Sequence, residues 1–132
     1  MKETLFVFIG GGGGAVLRWF ASSLWQHLSL HPAWQGVVFP WPTFVVNVLG
    51  CLLIALFYVC SETWGMSAEA RLLLTTGFCG GLTTFSTFGY ETVSLIQTRH
   101  WGVAIAYVGL SVLIGLATIF LVTTLCKPTV NN

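Results

Sequence analysis

Gly77-Phe78-Cys79-Gly80-Gly81-Leu82-Thr83-Thr84-Phe85-Ser86-Thr87-Phe88 lies in the middle of an otherwise apolar, nearly charge-free segment. An ordinary membrane helix would carry aliphatic residues there. Glycine weakens a helix by about 1 kcal/mol per residue relative to alanine, and Gly, Ser and Thr together present polar groups that hydrocarbon cannot satisfy. Such a stretch is tolerated at membrane depth only where it packs on protein or lines a polar cavity. Gly80-Gly81 followed by Thr83-Thr84 permits a helix break near the membrane centre, exposing carbonyls of one half and amide N–H groups of the next. A break of this kind can hold an ion. Phe85 and Phe88 share a face if the helix resumes, with Ser86 and Thr87 turned elsewhere. Core packing is the ordinary meaning of that spacing, yet phenylalanine ring edges carry partial positive charge and can face an anion without a formal cation.

The surrounding chain reads as membrane protein throughout. Of its 132 residues, 55% are hydrophobic and 7% charged, and the mean hydropathy is +0.85, which leaves too little polar surface to coat a soluble globule. Crossing about 30 Å of hydrocarbon takes roughly 20 helical residues. Four segments reach that length, approximately 4–25, 42–60, 72–97 and 101–126. Trp25, Trp34, Trp41, Trp64 and Trp101 fall at or beyond segment ends, where indole sits between headgroups and acyl chains. A cleaved signal peptide fits residues 1–25 poorly, because Arg18, Trp19 and Phe20 stand where small cleavage-site residues belong. The connections, near 26–41, 61–70 and 98–100, leave no room for a second domain, and Pro32, Pro40 and Pro42 disfavour a continuous helix in the first. The expected organisation is all-α: a single four-span domain over residues 1–132, its third helix broken near the centre. Lys127-Pro128 and the two terminal Asn read as a frayed tail. Cys51, Cys60, Cys79 and Cys126 lack C-x-x-C spacing and are expected as buried free thiols. His27, His31 and His100 lie in or beside loops, away from any paired ligation in the bilayer.

Charge placement bears on orientation. With an even number of spans, the N-terminus, the second loop and the C-terminus share one side, which receives Lys2, Arg71 and Lys127 against Glu3, Glu62 and Glu69. The other side has Arg99, with Arg18 in the outer half of the first segment. The positive-inside rule counts Lys and Arg near span ends, and the bias here is small enough for one Arg nearly to cancel it. A chain that inserts both ways can pair with its inverted copy, and four short helices alone are a thin wall for a pore. An antiparallel, dual-topology homodimer follows as an expectation, beside a fixed-topology oligomer.

Three further features sit at membrane depth. Arg18 follows Gly14 at i,i+4 and is expensive there unless paired or snorkelling, so it serves either as a structural anchor or as a functional cation. Asn47 is a single amide among aliphatics, either interhelical hydrogen-bond glue or a donor facing a pore. Gly10 to Gly14 contain a small-xxx-small face that suggests close helix packing; a phosphate-binding loop lacks both the strand-loop-helix setting and the Lys-Ser/Thr ending.

Gly14-x-x-x-Arg18, Val46-Asn47-x-x-Gly50 and the Gly80 to Phe88 run together resemble the Fluc/CrcB fluoride channels of microorganisms, and the four-span plan extends the resemblance over essentially the whole chain. The resemblance implies a passive, fluoride-selective channel of the bacterial inner membrane, working as a dual-topology antiparallel homodimer with two fluoride pathways, each lined by both subunits. It implies that Asn47 is a pore-side amide, that Phe85 and Phe88 face the permeating anion, and that Ser86 and Thr87 supply hydroxyls near the pore. Tyr107 and Ser111 match a polar line along the pathway, with Thr43 and Glu91 as additional members, while Gly115 at the next helical step has no hydroxyl. Gly80 and Thr83 would supply backbone carbonyls to a central structural sodium ion on the dimer axis. The implied partners are fluoride, the lipid bilayer and an inverted copy of the chain, with no nucleic acid.

Elementary chemistry agrees with that reading. Fluoride is small and strongly hydrated, so a narrow dry passage must offer replacement donors at each step, which amide, hydroxyl and aromatic C–H groups can share. A dual-topology multidrug exporter of this size is the rival, but it requires a membrane carboxylate, usually in the first span, where this chain has Arg18 and no acid. A structural subunit assembling a larger complex through its glycine faces is the other alternative. An enzyme is not expected, because the spans offer no His-Glu, paired Asp or Ser-His arrangement.

Overall fold

The computed structural model describes residues 2–126, and the notional frayed tail from Lys127 lies outside them. In chain order the elements are α1 (Lys2–Ser29), a 3-10 turn (Pro32–Trp34), α2 (Trp41–Trp64), α3 (Ala68–Arg71), a π-helix (Leu72–Cys79), α4 (Gly80–Leu82), α5 (Phe85–Gln97) and α6 (Trp101–Leu125). Helices α1, α2 and α6 are each long and apolar enough to cross a membrane. The segment expected as a third, broken helix is a composite that runs from α3 through the π-helix and α4, breaks at Thr83 and Thr84 as the glycine-threonine run suggests, and resumes as α5. Both break residues are extended, Thr83 at ψ 155 and Thr84 at φ −149.

Tryptophans mark the ends as expected: Trp41 opens α2, Trp64 closes it and Trp101 opens α6. The connection expected near 61–70 shrinks to 65–67, because α2 runs on to Trp64 and is stopped by Gly65 at φ 70, a left-handed position natural to glycine. Cys126 is exposed just past the end of α6, against the expectation of a buried thiol, whereas Cys79 is buried and Cys51 and Cys60 are half-buried.

The break redirects the composite segment across the bundle. Its first half, the π-helix with α4, packs against α1; its second half, α5, packs against α6; and α2 touches both halves and lies along α6. Glycine makes the first of these contacts possible. A Cβ at Gly10 would collide with the Leu73 carbonyl, one at Gly14 with the Phe78 carbonyl, and one at Gly81 with the Gly11 carbonyl. Two backbones therefore touch where side chains would hold them apart, as the small-residue face of α1 foretells. The second contact is aromatic. Leu95, Ala104 and Tyr107 form a small buried cluster, with Phe39, Phe44 and Phe88 packed around it.

Candidate functional site

Thr84 is the point on which the break is fastened. Its N–H donates to Asn47 Oδ1 at 2.8 Å, and its carbonyl accepts from Asn47 Nδ2 at 3.3 Å. Asn47 thus clamps an interrupted backbone from a neighbouring helix by both ends of its amide, and one Nδ2 hydrogen remains over. The Thr84 hydroxyl caps α5 by accepting from Thr87 N–H at 3.3 Å, donates to Thr87 Oγ1 at 3.0 Å, and lies 3.3 Å from Ser86 Oγ.

These bonds have a consequence for two carbonyls. In an unbroken helix Thr84 N–H would point at the Gly80 carbonyl and Thr87 N–H at that of Thr83. Asn47 takes the first donor and Thr84 Oγ1 the second. Gly80 and Thr83 both line the same groove, and space around the Gly80 α-carbon is open. Among the described residues no group of three or more His, Cys, Asp or Glu comes together.

That groove, roughly 480 Å³, is lined by Asn47, Cys51, Thr83, Thr84, Phe85, Phe88 and Ser111 among others. Among the described residues, none of those in its walls is Lys or Arg. Phe85 is 85% exposed, and its ring centroid is 5.9 Å from that of Phe88. Ser111 Oγ is buried without a hydrogen-bond partner. An unpaired hydroxyl of this kind is costly unless something fills the space beside it.

A second cavity, roughly 520 Å³, lies on the other side and is lined by Thr43, Thr87, Glu91, Ser94, Thr98 and His100 among others. Between the two stands Tyr107, fully buried. Its hydroxyl donates to Glu91 Oε2 at 2.7 Å, Thr43 Oγ1 donates to Glu91 Oε1 at 2.8 Å, and its ring lies 5.0 Å from Phe88. Tyr107 thus links Phe88, which lines the first groove, to Glu91, which lines the second.

The expected site residues thus divide. Asn47, Thr83, Gly80, Phe85, Phe88 and Ser111 meet at the first groove; Thr43, Thr87 and Glu91 meet at the second; Tyr107 joins them. Ser86 is exposed on α5 beside Thr84 and lines neither cavity. Arg18 is half-buried on α1, where its carbonyl accepts from Ser22 Oγ at 3.2 Å, outside both linings. Thr84 itself was missed as a site residue, although a threonine three positions before Thr87 at the start of a helix is a capping signal. Phe39, which packs edge-on to Tyr107 at 5.4 Å, carries no sequence signal, since it comes from a loop.

Comparison with known proteins adds a lineage to this geometry. Residues 5–123 match the family model described as CrcB-like protein, Camphor Resistance (CrcB). The chain is 45% identical over 119 residues to a fluoride-specific ion channel FluC of Bacteroides fragilis, covering 90% of this chain and 91% of that one. It is 44% identical over 128 residues to fluoride-specific ion channel FluC 1 of Mycobacterium tuberculosis, with 96% and 91% covered. A FluC of Methylobacillus flagellatus is 39% identical over 132 residues, with 99% of each chain covered.

Proposed function

We propose, on the premise that this chain belongs to the CrcB-like family, that it is a passive fluoride-specific channel of the bacterial inner membrane. It is a multi-pass membrane protein and not an enzyme. The observation that carries the reading is the first groove, whose lining brings together Phe85, Phe88, Asn47 with its spare amide hydrogen, and the unpartnered Ser111, with no cationic side chain among the described residues of that lining. Those are the donors that a strongly hydrated anion needs, and a lining without Lys or Arg side chains does not trap what it binds. Asn47, Phe85, Phe88 and Ser111 provide the central donors. Tyr107, Thr43 and Glu91, with Thr87 on the side of the second cavity and Ser86 at the α5 start, extend the polar route. Arg18 anchors α1 at the membrane.

The working form is an antiparallel, dual-topology homodimer. The composite segment makes the fourth crossing, and the groove, open on one side with Phe85 85% exposed, is closed by the inverted copy, which yields two equivalent pathways. A sodium ion on the two-fold axis fits the same face. The carbonyls of Gly80 and Thr83, whose helical donors are drawn away by Asn47 and Thr84, would hold it, and a dimer doubles two oxygens to four. When bound, the ion would supply a fixed positive charge beside these carbonyls.

Efflux from fluoride-loaded proteoliposomes, followed by an ion-selective electrode with chloride measured in parallel, tests the reading. Rapid fluoride release without nucleotide or proton gradient is expected, and equal chloride release or no release from folded protein overturns it.

A further inference from the structure

Helices α2 and α6 lie side by side, and each places polar residues at four-residue intervals, which keeps them on one face. On α2 the series is Thr43, Asn47, Cys51; on α6 it is Tyr107, Ser111, Gly115. The two series run in step. Thr43 and Tyr107 are joined through the two oxygens of Glu91. Asn47 and Ser111 line one groove, the first with a spare amide hydrogen and the second with a buried hydroxyl that has no partner. At the third level α6 offers no side chain. Among the described residues, a Cβ on Gly115 would meet Cys51 Sγ alone within 4 Å, at 3.2 Å.

We propose that the Cys51 thiol is the third polar group of the fluoride route, standing where α6 lacks a side chain at Gly115. The proposal rests on the channel reading above. Three observations carry it together: the matched spacing, the orphaned Ser111 hydroxyl one level back, and the presence of Cys51 in the lining of the same groove. One level further on, the pair becomes Ala55 and Ile119, so the polar series ends at Cys51. An S–H is a weak donor. A weak donor at the end of the series passes a strongly hydrated anion onward without trapping it.

The test exchanges the donor between helices. Fluoride efflux is compared in proteoliposomes of the full chain, each variant first checked as a dimer by gel filtration. Cys51→Ala is expected to lower efflux by about three- to tenfold, the size of one lost hydrogen bond in a barrier. Removing Sγ also opens the space next to Gly115, so Cys51→Ala with Gly115→Ser should recover most of that loss. Cys51→Ala with Gly115→Ala fills the same space without a donor and should not. Cys51→Ser should exceed Cys51→Ala by about threefold or more, because a hydroxyl is the better donor. The proposal is overturned if Cys51→Ala conducts like wild type, if Gly115→Ala rescues as well as Gly115→Ser, or if Cys51→Ser falls as far as Cys51→Ala. Wild-type protein that passes no fluoride overturns the channel reading and this proposal together, whereas a conducting wild type with indifferent Cys51 variants overturns this proposal alone.

Discussion

Asn47 and Thr84 hold the break by different means, and their removal should cost different amounts. Asn47 bonds the backbone of Thr84, so Asn47→Ala leaves an amide N–H and a carbonyl without partners in a low-dielectric setting. Thr84→Val keeps that clamp and loses the cap on α5 with the hydroxyl contacts to Thr87 and Ser86, neither of them a buried residue. An abandoned buried polar group costs about 1–3 kcal/mol, against about 1 kcal/mol for a lost N-cap. Thermal inactivation of the protein in detergent should therefore place Asn47→Ala below Thr84→Val, and the reverse order would sink the clamp. Phe85 and Phe88 pose a separate question. Volume-conserving apolar swaps usually cost less than about 1.5 kcal/mol, so Phe85→Ile and Phe88→Ile should stay dimeric yet lose most fluoride efflux, because the aliphatic chain lacks the polarised C–H edge. Near-normal flux in either variant would reduce that ring to packing. The identities of Asn47, Phe85 and Phe88 were legible in the sequence, since an amide or a threonine-flanked aromatic pair stands out in an aliphatic span. Their partners were not. No spacing rule says that an asparagine will seek a backbone 37 residues away rather than a side chain.

At the scale of elements, the glycine face of α1 and the break were readable because both depend on what a side chain does locally: Cβ excludes a neighbouring backbone, and a glycine-threonine run weakens a helix. The π-helix was not readable. Widening from i+4 to i+5 hydrogen bonding changes no residue preference and leaves no hydrophobic period to detect. It lies in the stretch that α1 approaches most closely, with Gly77 against Gly10 and Gly11. The contact predicts a sharp contrast among neighbouring substitutions. Gly14→Ala drives a methyl into the Phe78 and Gly81 backbone, which cannot step aside as a flexible side chain would, whereas Gly12 has nothing within 4 Å of a Cβ. Overpacking of this kind costs about 1–3 kcal/mol or more. Gly14→Ala should reduce the yield of dimer recovered from membranes severalfold, while Gly12→Ala should leave yield and fluoride efflux unchanged. Equal tolerance of the two would mean that α1 and the composite segment do not touch through backbone.

For the whole molecule the decisive quantity is orientation. Much apolar surface is exposed on the single chain, including Phe8, Phe85, Leu113 and Phe120, and lipid can cover most of it. Phe85 is different, because it borders a groove in which Asn47, Thr83, Thr84 and Ser111 stand among aliphatic residues such as Ile54, Val112 and Ile119. A second copy that inserts upside down brings the same groove to the same depth from the opposite side, and the weak Lys/Arg bias of the sequence permits such insertion. Two added lysines on one side should therefore fix the orientation. Thr4→Lys with Met66→Lys loads the side of the N-terminus and the second loop; Gln35→Lys with Gln97→Lys loads the other, and Thr4, Gln35 and Gln97 are exposed. If each pathway needs both orientations, cells making either variant alone should lose fluoride resistance, since every copy faces one way and none finds an inverted partner. Cells making both should recover it, because two opposed populations can pair. A single fixed-orientation variant that confers full resistance would rule out the antiparallel dimer while leaving fluoride conduction intact, so orientation and activity are separated by one growth assay.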